Sequence, residues 1–242
     1  MARRALFTII GLLVAGCAAS VAPTDTPTPA ESSQASSAQV SPSQAEPTLS
    51  ATCEPGDDGV TQPVHATANI FGAGRDKAPA PAGGGAGSLP PAWELPSGST
   101  IVTILCATGT VTPYTGQALR NGPAGDRLGA GGVNTDVTSY EGISGIVNQG
   151  NGMFLVGVFL TDAVPSDPAP PRLDFTDGED FEELAPEIAQ TFLVGDGVGR
   201  TFRIPAGATR LFLGFADARG YSGSPGWYGN NAGALEVTVA VE

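Results

Sequence analysis

Apolar and polar residues alternate along several short stretches of this chain, and clusters of Gly, Pro, Asn and Asp separate those stretches. In the last of them Leu235, Val237, Val239 and Val241 occupy every second position, which on an extended backbone gathers them on one face. The same reading predicts strands over 64–71, 100–107, 145–148, 153–160, 190–194, 201–204, 209–216 and 234–241. A helical pattern occurs only at 182–189, about one or two turns long, with Pro186 inside it and Asp177 or Asp180 as its cap. The 34 glycines and 21 prolines follow no collagen-like period and instead punctuate the strands. The pattern predicts an all-β fold, a β-sandwich or barrel, and argues against helical bundles and wound α/β folds.

The N-terminal region follows a different pattern. Met1 to Arg4 form a short basic segment, and residues 5–14 an apolar run too short for an ordinary membrane span. The run ends in Leu13-Val14-Ala15-Gly16-Cys17, which resembles a bacterial lipobox. That resemblance implies a signal peptide over 1–16, removed in the mature protein, and a lipidated Cys17 that anchors the chain to a membrane, each buried CH₂ contributing about 0.8 kcal/mol. Ala18, rather than Asp, follows the cysteine, which by likeness to Gram-negative lipoproteins favours the outer membrane. The expected location is outside the cytoplasm, lipid-anchored to the cell membrane or outer membrane, with the domain periplasmic or extracellular. Residues 17–52 are rich in Ala, Ser, Thr, Pro and Gln without apolar periodicity, so they are expected to form a disordered tether with a coil reach of roughly 30 Å. The remaining residues, 53–242, are enough for one domain that buries about 70% of its unfolded surface.

Charge and cysteine content narrow the possible partners. A net charge of -13 with only 11 Lys and Arg argues against nucleic acid, whose binding rests on neutralising phosphates. With Cys17 assigned to lipid, Cys53 and Cys106 are left as an even pair, and an oxidising envelope permits a disulfide between them; a buried free Cys106 is the alternative.

Enzyme signatures are lacking. The single histidine, His65, reads as a strand-face residue rather than a general base. There is no Gly-x-Ser-x-Gly elbow, no His-Glu-x-x-His and no phosphate-binding glycine loop, and the run from Gly83 to Gly87 reads as a flexible loop among prolines. The carboxylates between Asp174 and Glu183 read as a solvated loop, and their spacing does not match an EF-hand. No catalytic residue is expected.

The richest chemistry is C-terminal. Asp217 follows the apolar run Leu211 to Phe215, while Asn230 and Asn231 precede the last strand. If those two strands are neighbours in one sheet, the loop between them brings three oxygen-bearing side chains together, and hard cations such as Ca²⁺ prefer oxygen ligands. A turn at Gly229-Asn230 accounts for one Asn but less readily for the second Asn and the Asp.

The run Tyr228-Gly229-Asn230-Asn231-Ala232-Gly233, with Asp217 upstream and a terminal strand downstream, resembles the calcium-binding end of the PA-IL-like galactophilic bacterial lectins, and that resemblance implies a small β-sandwich of the jelly-roll, galactose-binding-like kind. Asn121-Gly-Pro-Ala-Gly-Asp126-Arg127 resembles that family's Gly-Pro-x-Gly-Asp-Arg segment. Residues 96–104 resemble its strand entered through a Pro-Gly turn, and 64–74 sit where its first strand would be. The resemblance implies a Ca²⁺ cofactor held by the side chains of Asp217, Asn230 and Asn231 and by the carbonyls of Trp227 and of Tyr114 or Thr115. It also implies a carbohydrate ligand whose hydroxyls complete the shell beside Asp217, Asn230 and Asn231, and Tyr221, in the part of the loop that the family lacks, is a further candidate for touching the sugar. Tyr221, Trp227 and Tyr228 could offer the sugar an apolar face, although aromatics beside a strand more often pack on the core, and Trp93 is expected only to pack. Leu128 and Gly129 follow Arg127 where the family has a sugar-contacting histidine, so galactose preference does not transfer, and the 217–227 loop is longer than the family's. Two functions remain open: a Ca²⁺-dependent carbohydrate-binding envelope lipoprotein, or a structural surface domain in which Ca²⁺, if bound, only ties loops together.

Overall fold

The computed structural model describes residues 59–116, 118, 121–125, 133–197 and 200–242. The signal peptide, Cys17, the tether and Cys53 lie outside the described residues.

Alternating apolar positions assemble three sheets. The first has five strands in the order β1 (Val60–His65), β13 (Ala232–Val241), β3 (Ile101–Thr112), β10 (Thr201–Arg203) and β8 (Glu183–Leu184). The second runs β2 (Ala92–Glu94), β11 (Arg210–Gly214), β6 (Val156–Leu160) and β9 (Phe192–Leu193). The third is smaller: β12 (Ser222–Gly223), β4 (Thr135–Val137), β5 (Ile146–Asn148) and β7 (Leu173–Asp174). The fold is an all-β sandwich. Leu235, Val237 and Val239 of the first sheet share a core with Leu211, Leu213 and Phe215 from β11 and the residue after it.

The second sheet is buried on both faces. Phe212, Val156, Val158 and Leu160 turn away from the first sheet and pack with Val137, Ile143 and Ile146. This explains why β6 and β11 read as nearly continuous apolar runs while β13 alternates more cleanly, since a strand with two dry faces has no polar side.

Several sequence expectations shift. The strand expected over 64–71 ends at His65, after which Asn69 caps a 3₁₀ turn (Ile70–Gly72) by accepting from the Phe71 N–H at 3.0 Å. The helical pattern at 182–189 is overturned: Glu183 and Leu184 form β8, a parallel edge on β10, and Pro186 stands where a helix would need a donor. In β3 the register against β13 passes from Cys106 to Ile104, leaving Leu105 as an unpaired bulge residue, 42% exposed. His65 is exposed on the edge strand β1, as its strand-face reading requires, and Trp93 packs in the core with its Nε1 donating to the Val60 carbonyl at 3.0 Å.

Candidate functional site

The two strands flanking the oxygen cluster are not neighbours in one sheet. β11 lies in the second sheet and β13 in the first, so Asp217 and Asn231 meet across the end of the sandwich. Their contact is direct, with Asn231 Nδ2 donating to Asp217 Oδ2 at 2.9 Å and to the Ala66 carbonyl at 3.1 Å. Two acceptors on one nitrogen fix the orientation of that amide. A flipped Asn231 would set its oxygen against two other oxygens, so Oδ1 must point away from both.

Tyr228 holds the junction from beneath. Its hydroxyl accepts from the Asp217 N–H at 2.9 Å and donates to the Phe215 carbonyl at 3.0 Å, with no exposed surface. Burial, and next the Asp217 carboxylate, push the phenol proton's pKa well above its ordinary value, so the hydroxyl remains a donor. Tyr228→Phe would strand the buried Asp217 N–H and leave the Phe215 carbonyl with the Ile70 N–H as its donor, and is expected to cost about 2 kcal/mol in a denaturant titration. The full burial of Tyr228 places it with the aromatics that pack on the core rather than with those that face the cavity.

Asp217 is 3% exposed, and its Oδ1 accepts from the Ala218 N–H at 2.7 Å. Desolvation pushes its carboxyl up to about 6, against the opposing pull of the hydrogen bonds from Asn231 and Ala218. Beside it opens a cavity of about 390 Å³ lined by Tyr114, Asp217, Arg219, Tyr221, Trp227 and Asn230 among others. Thr115 stands next to it, its N–H donating to the Asn230 carbonyl at 2.6 Å. The structure therefore brings Asp217, Asn230, Asn231, Trp227, Tyr114, Thr115 and Tyr221 to one place.

Six buried side-chain polar atoms have no hydrogen-bond partner among the described residues, and three of them fall within 227–231: Asn230 Oδ1, Asn231 Oδ1 and Trp227 Nε1. Buried polar groups are nearly always paired, so this concentration points to a ligand. A hard cation fits the donor set. It would satisfy two amide oxygens at once and supply the counter-charge that the buried Asp217 carboxylate lacks. Among the described residues no group of three His, Cys, Asp or Glu could hold a metal, and this donor set differs in kind: one carboxylate, two amides and backbone carbonyls.

The glycine-rich run supports this site in a way the sequence did not disclose. Gly83, Gly84 and Gly85 carbonyls accept from the N–H groups of Trp227, Gly229 and Tyr228 at 2.9, 3.2 and 3.2 Å. Gly84 has φ +70°, and a Cβ there would lie 2.5 Å from Trp227 Cδ2, so the loop is a close-fitting seat for the 227–229 backbone. Trp227 and Tyr221 themselves have φ of 70° and 61°, a left-handed geometry that bulky residues adopt at a cost and that is concentrated at binding sites. The Arg219 guanidinium lies 5.7 Å from the Trp227 ring centroid.

The acidic run 174–183 is a loop between its ends, Asp174 in β7 and Glu183 in β8. Glu179 Oε1 accepts from Asn148 Nδ2 at 2.7 Å and Asn151 Nδ2 at 3.1 Å, and Asp174 accepts from the Thr176 N–H at 2.9 Å. Cys106 is buried in β3 opposite Thr238.

No family model matches this chain. No curated protein matches it either. Among solved structures it is similar to an "EclA N-terminal domain; PllA-like lectin", at 14% identity with a TM-score of 0.33, over 77% of this chain and 100% of that one.

Proposed function

We propose that this chain is a non-catalytic, calcium-dependent carbohydrate-binding domain carried on a lipid-anchored envelope protein. The observation that supports this most is that Asn230 Oδ1, Asn231 Oδ1 and Trp227 Nε1 have no partner among the described residues, close to buried Asp217 and to the cavity that Asn230 and Trp227 line. Asp217, Asn230 and Asn231 would hold Ca²⁺ through side-chain oxygens, and the carbonyls of Trp227 and of Tyr114 or Thr115 would add backbone oxygens. Ca²⁺ takes about six to eight oxygens, so this set leaves positions for the vicinal hydroxyls of a sugar. With one carboxylate the affinity for the ion alone is modest, about micromolar or weaker. The Trp227 N–H is a donor that a cation cannot satisfy and a sugar oxygen can, and Tyr221 adds an aromatic wall.

The same proposal includes the lipidated Cys17, the tether and a Cys53–Cys106 disulfide. Gly59, six residues after Cys53, is placed so that its Cβ would lie 3.0 Å from the Leu105 side chain, so the incoming chain passes close to Cys106.

A glycan array probed with the protein in millimolar Ca²⁺ and again in EDTA tests this function. Retention of a sugar in Ca²⁺, lost in EDTA and lost in Asp217→Asn, is expected. Calcium binding with no glycan retained at any position would leave only a structural role for the ion.

A further inference from the structure

We propose that the ligand is an oligosaccharide, and that its second residue sits in a cavity next to the metal pocket, walled by Asn134, Asp136, Gln149, Tyr221 and Ser222. This rests on the calcium-dependent sugar reading above and names its substrate class.

The 217–227 loop is what creates the second cavity. Its residues Ser222 and Gly223 form β12, which pairs in parallel with β4 (Ser222 opposite Asp136, Gly223 opposite Val137), and the Thr138 N–H bonds the Gly223 carbonyl at 2.9 Å. That pairing fastens the third sheet to the loop that carries the metal pocket. The result is a cavity of about 620 Å³ that shares its Gly220–Tyr221 wall with the 390 Å³ pocket beside Asp217. Each volume falls in the range of about 300–1,000 Å³ typical of small-molecule sites, and Gly220 and Tyr221 line both.

The wall chemistry suits an uncharged polyol. Alternation along β4 buries Thr135 and Val137 and turns Asp136 outward, and β5 sets Val147 opposite it. Asp136 is paired with Arg172 Nη1 at 2.5 Å, so its charge is balanced and its remaining lone pairs accept hydroxyl donors. Asn134 Oδ1 accepts from the Gly150 N–H at 2.8 Å, which leaves its NH₂ to donate. Gln149 and Ser222 are exposed and supply one more amide and a hydroxyl, and Tyr221 lines both cavities and offers an aromatic surface to each. Acceptors, donors and an aromatic edge without net charge describe a neutral saccharide. A strongly anionic ligand would approach a chain of net charge -13.

The test measures affinity for a series of mono-, di- and trisaccharides, built on whichever monosaccharide an array retains, in saturating Ca²⁺. Wild type is compared with Gln149→Ala and Asn134→Ala, neither of which is a proposed metal ligand. A longer saccharide should bind about tenfold or more tightly than its parent monosaccharide, as one or two added hydrogen bonds would give. Both variants should remove that advantage while leaving monosaccharide affinity and the calcium-induced thermal shift unchanged. Gln149 is exposed, so its truncation should keep the fold even if the Asn134 contact to Gly150 proves structural. Calcium-dependent monosaccharide binding with no gain from chain length, or a gain that survives Gln149→Ala, overturns the second cavity alone. No saccharide retained in Ca²⁺ overturns this proposal and the sugar reading together.

Discussion

The metal-free protein should lose stability as pH rises from about 4 to about 6, by about 3 kcal/mol, and then level off. Asp217 has a folded pKa of about 6 because it is buried, whereas an unfolded Asp titrates near about 3.9. Between those values the folded state binds more protons than the unfolded one, so stability falls with increasing pH, and about 2 units correspond to about 3 kcal/mol. Exposed Asp174 acts weakly in the opposite sense, since hydrogen bonds from Thr176 hold its carboxyl below the usual value. Asp217→Asn removes the first contribution and leaves the second, so the difference between the two proteins' pH profiles isolates the buried group. Calcium should cancel the loss at pH 7. At a hundredfold excess over Kd it stabilises the wild type by about 2.7 kcal/mol, and Asp217→Asn by little or nothing. Denaturant midpoints measured between pH 4 and pH 8, on chelator-treated protein and with millimolar Ca²⁺, check both parts.

Gly87→Ala should destabilise the fold by about 3 kcal/mol. Gly87 closes the glycine-rich seat with φ +70°, a conformation costing a side-chain-bearing residue roughly 1–2 kcal/mol. Its added Cβ would also lie 2.2 Å from the Thr67 carbonyl oxygen and 2.6 Å from Tyr228 Cβ. Backbone cannot yield there cheaply, because the Ser88 N–H bonds that same carbonyl at 2.8 Å, and overpacking of this kind costs about 1–3 kcal/mol more. Gly98→Ala is the matched control: φ is +92° and nothing lies within 4 Å of the new Cβ, so only the backbone contribution, about 1 kcal/mol, should appear. The two midpoints, read side by side, separate strain from collision. Equal losses would mean that the loop does not seat Tyr228 as described.

Strands whose apolar residues alternate or run together could be located in the sequence, because burial on one face or two is a property of the strand itself. Residues 234–241 and 209–216 were readable on that basis, and they became β13 and β11. Their placement in different sheets was not readable, since period-two patterning says which face is dry but not which strand lies alongside. The very short strands β4, β7, β8 and β12 carry too few residues for any period, and β4 and β12 build the second cavity's edge. The oxygen cluster was legible because Asp and adjacent Asn at strand ends are unusual for turns alone. Asn134 and Gln149 were not, as each is an ordinary loop residue until β12 pairs with β4. The glycine run at 83–87 reads locally as a flexible loop, and its use as a seat depends on backbone contacts about 140 residues away that no local pattern encodes.

Equilibrium dialysis of the chelator-treated protein against radiolabelled Ca²⁺ at pH 7 tests the metal site most directly. One ion per chain is expected to bind at micromolar to millimolar concentration, with binding abolished by Asp217→Asn and weakened by Asn231→Ala. No bound calcium at millimolar concentration, or equal binding by wild type and Asp217→Asn, would contradict the assignment of Asp217, Asn230 and Asn231 as its seat.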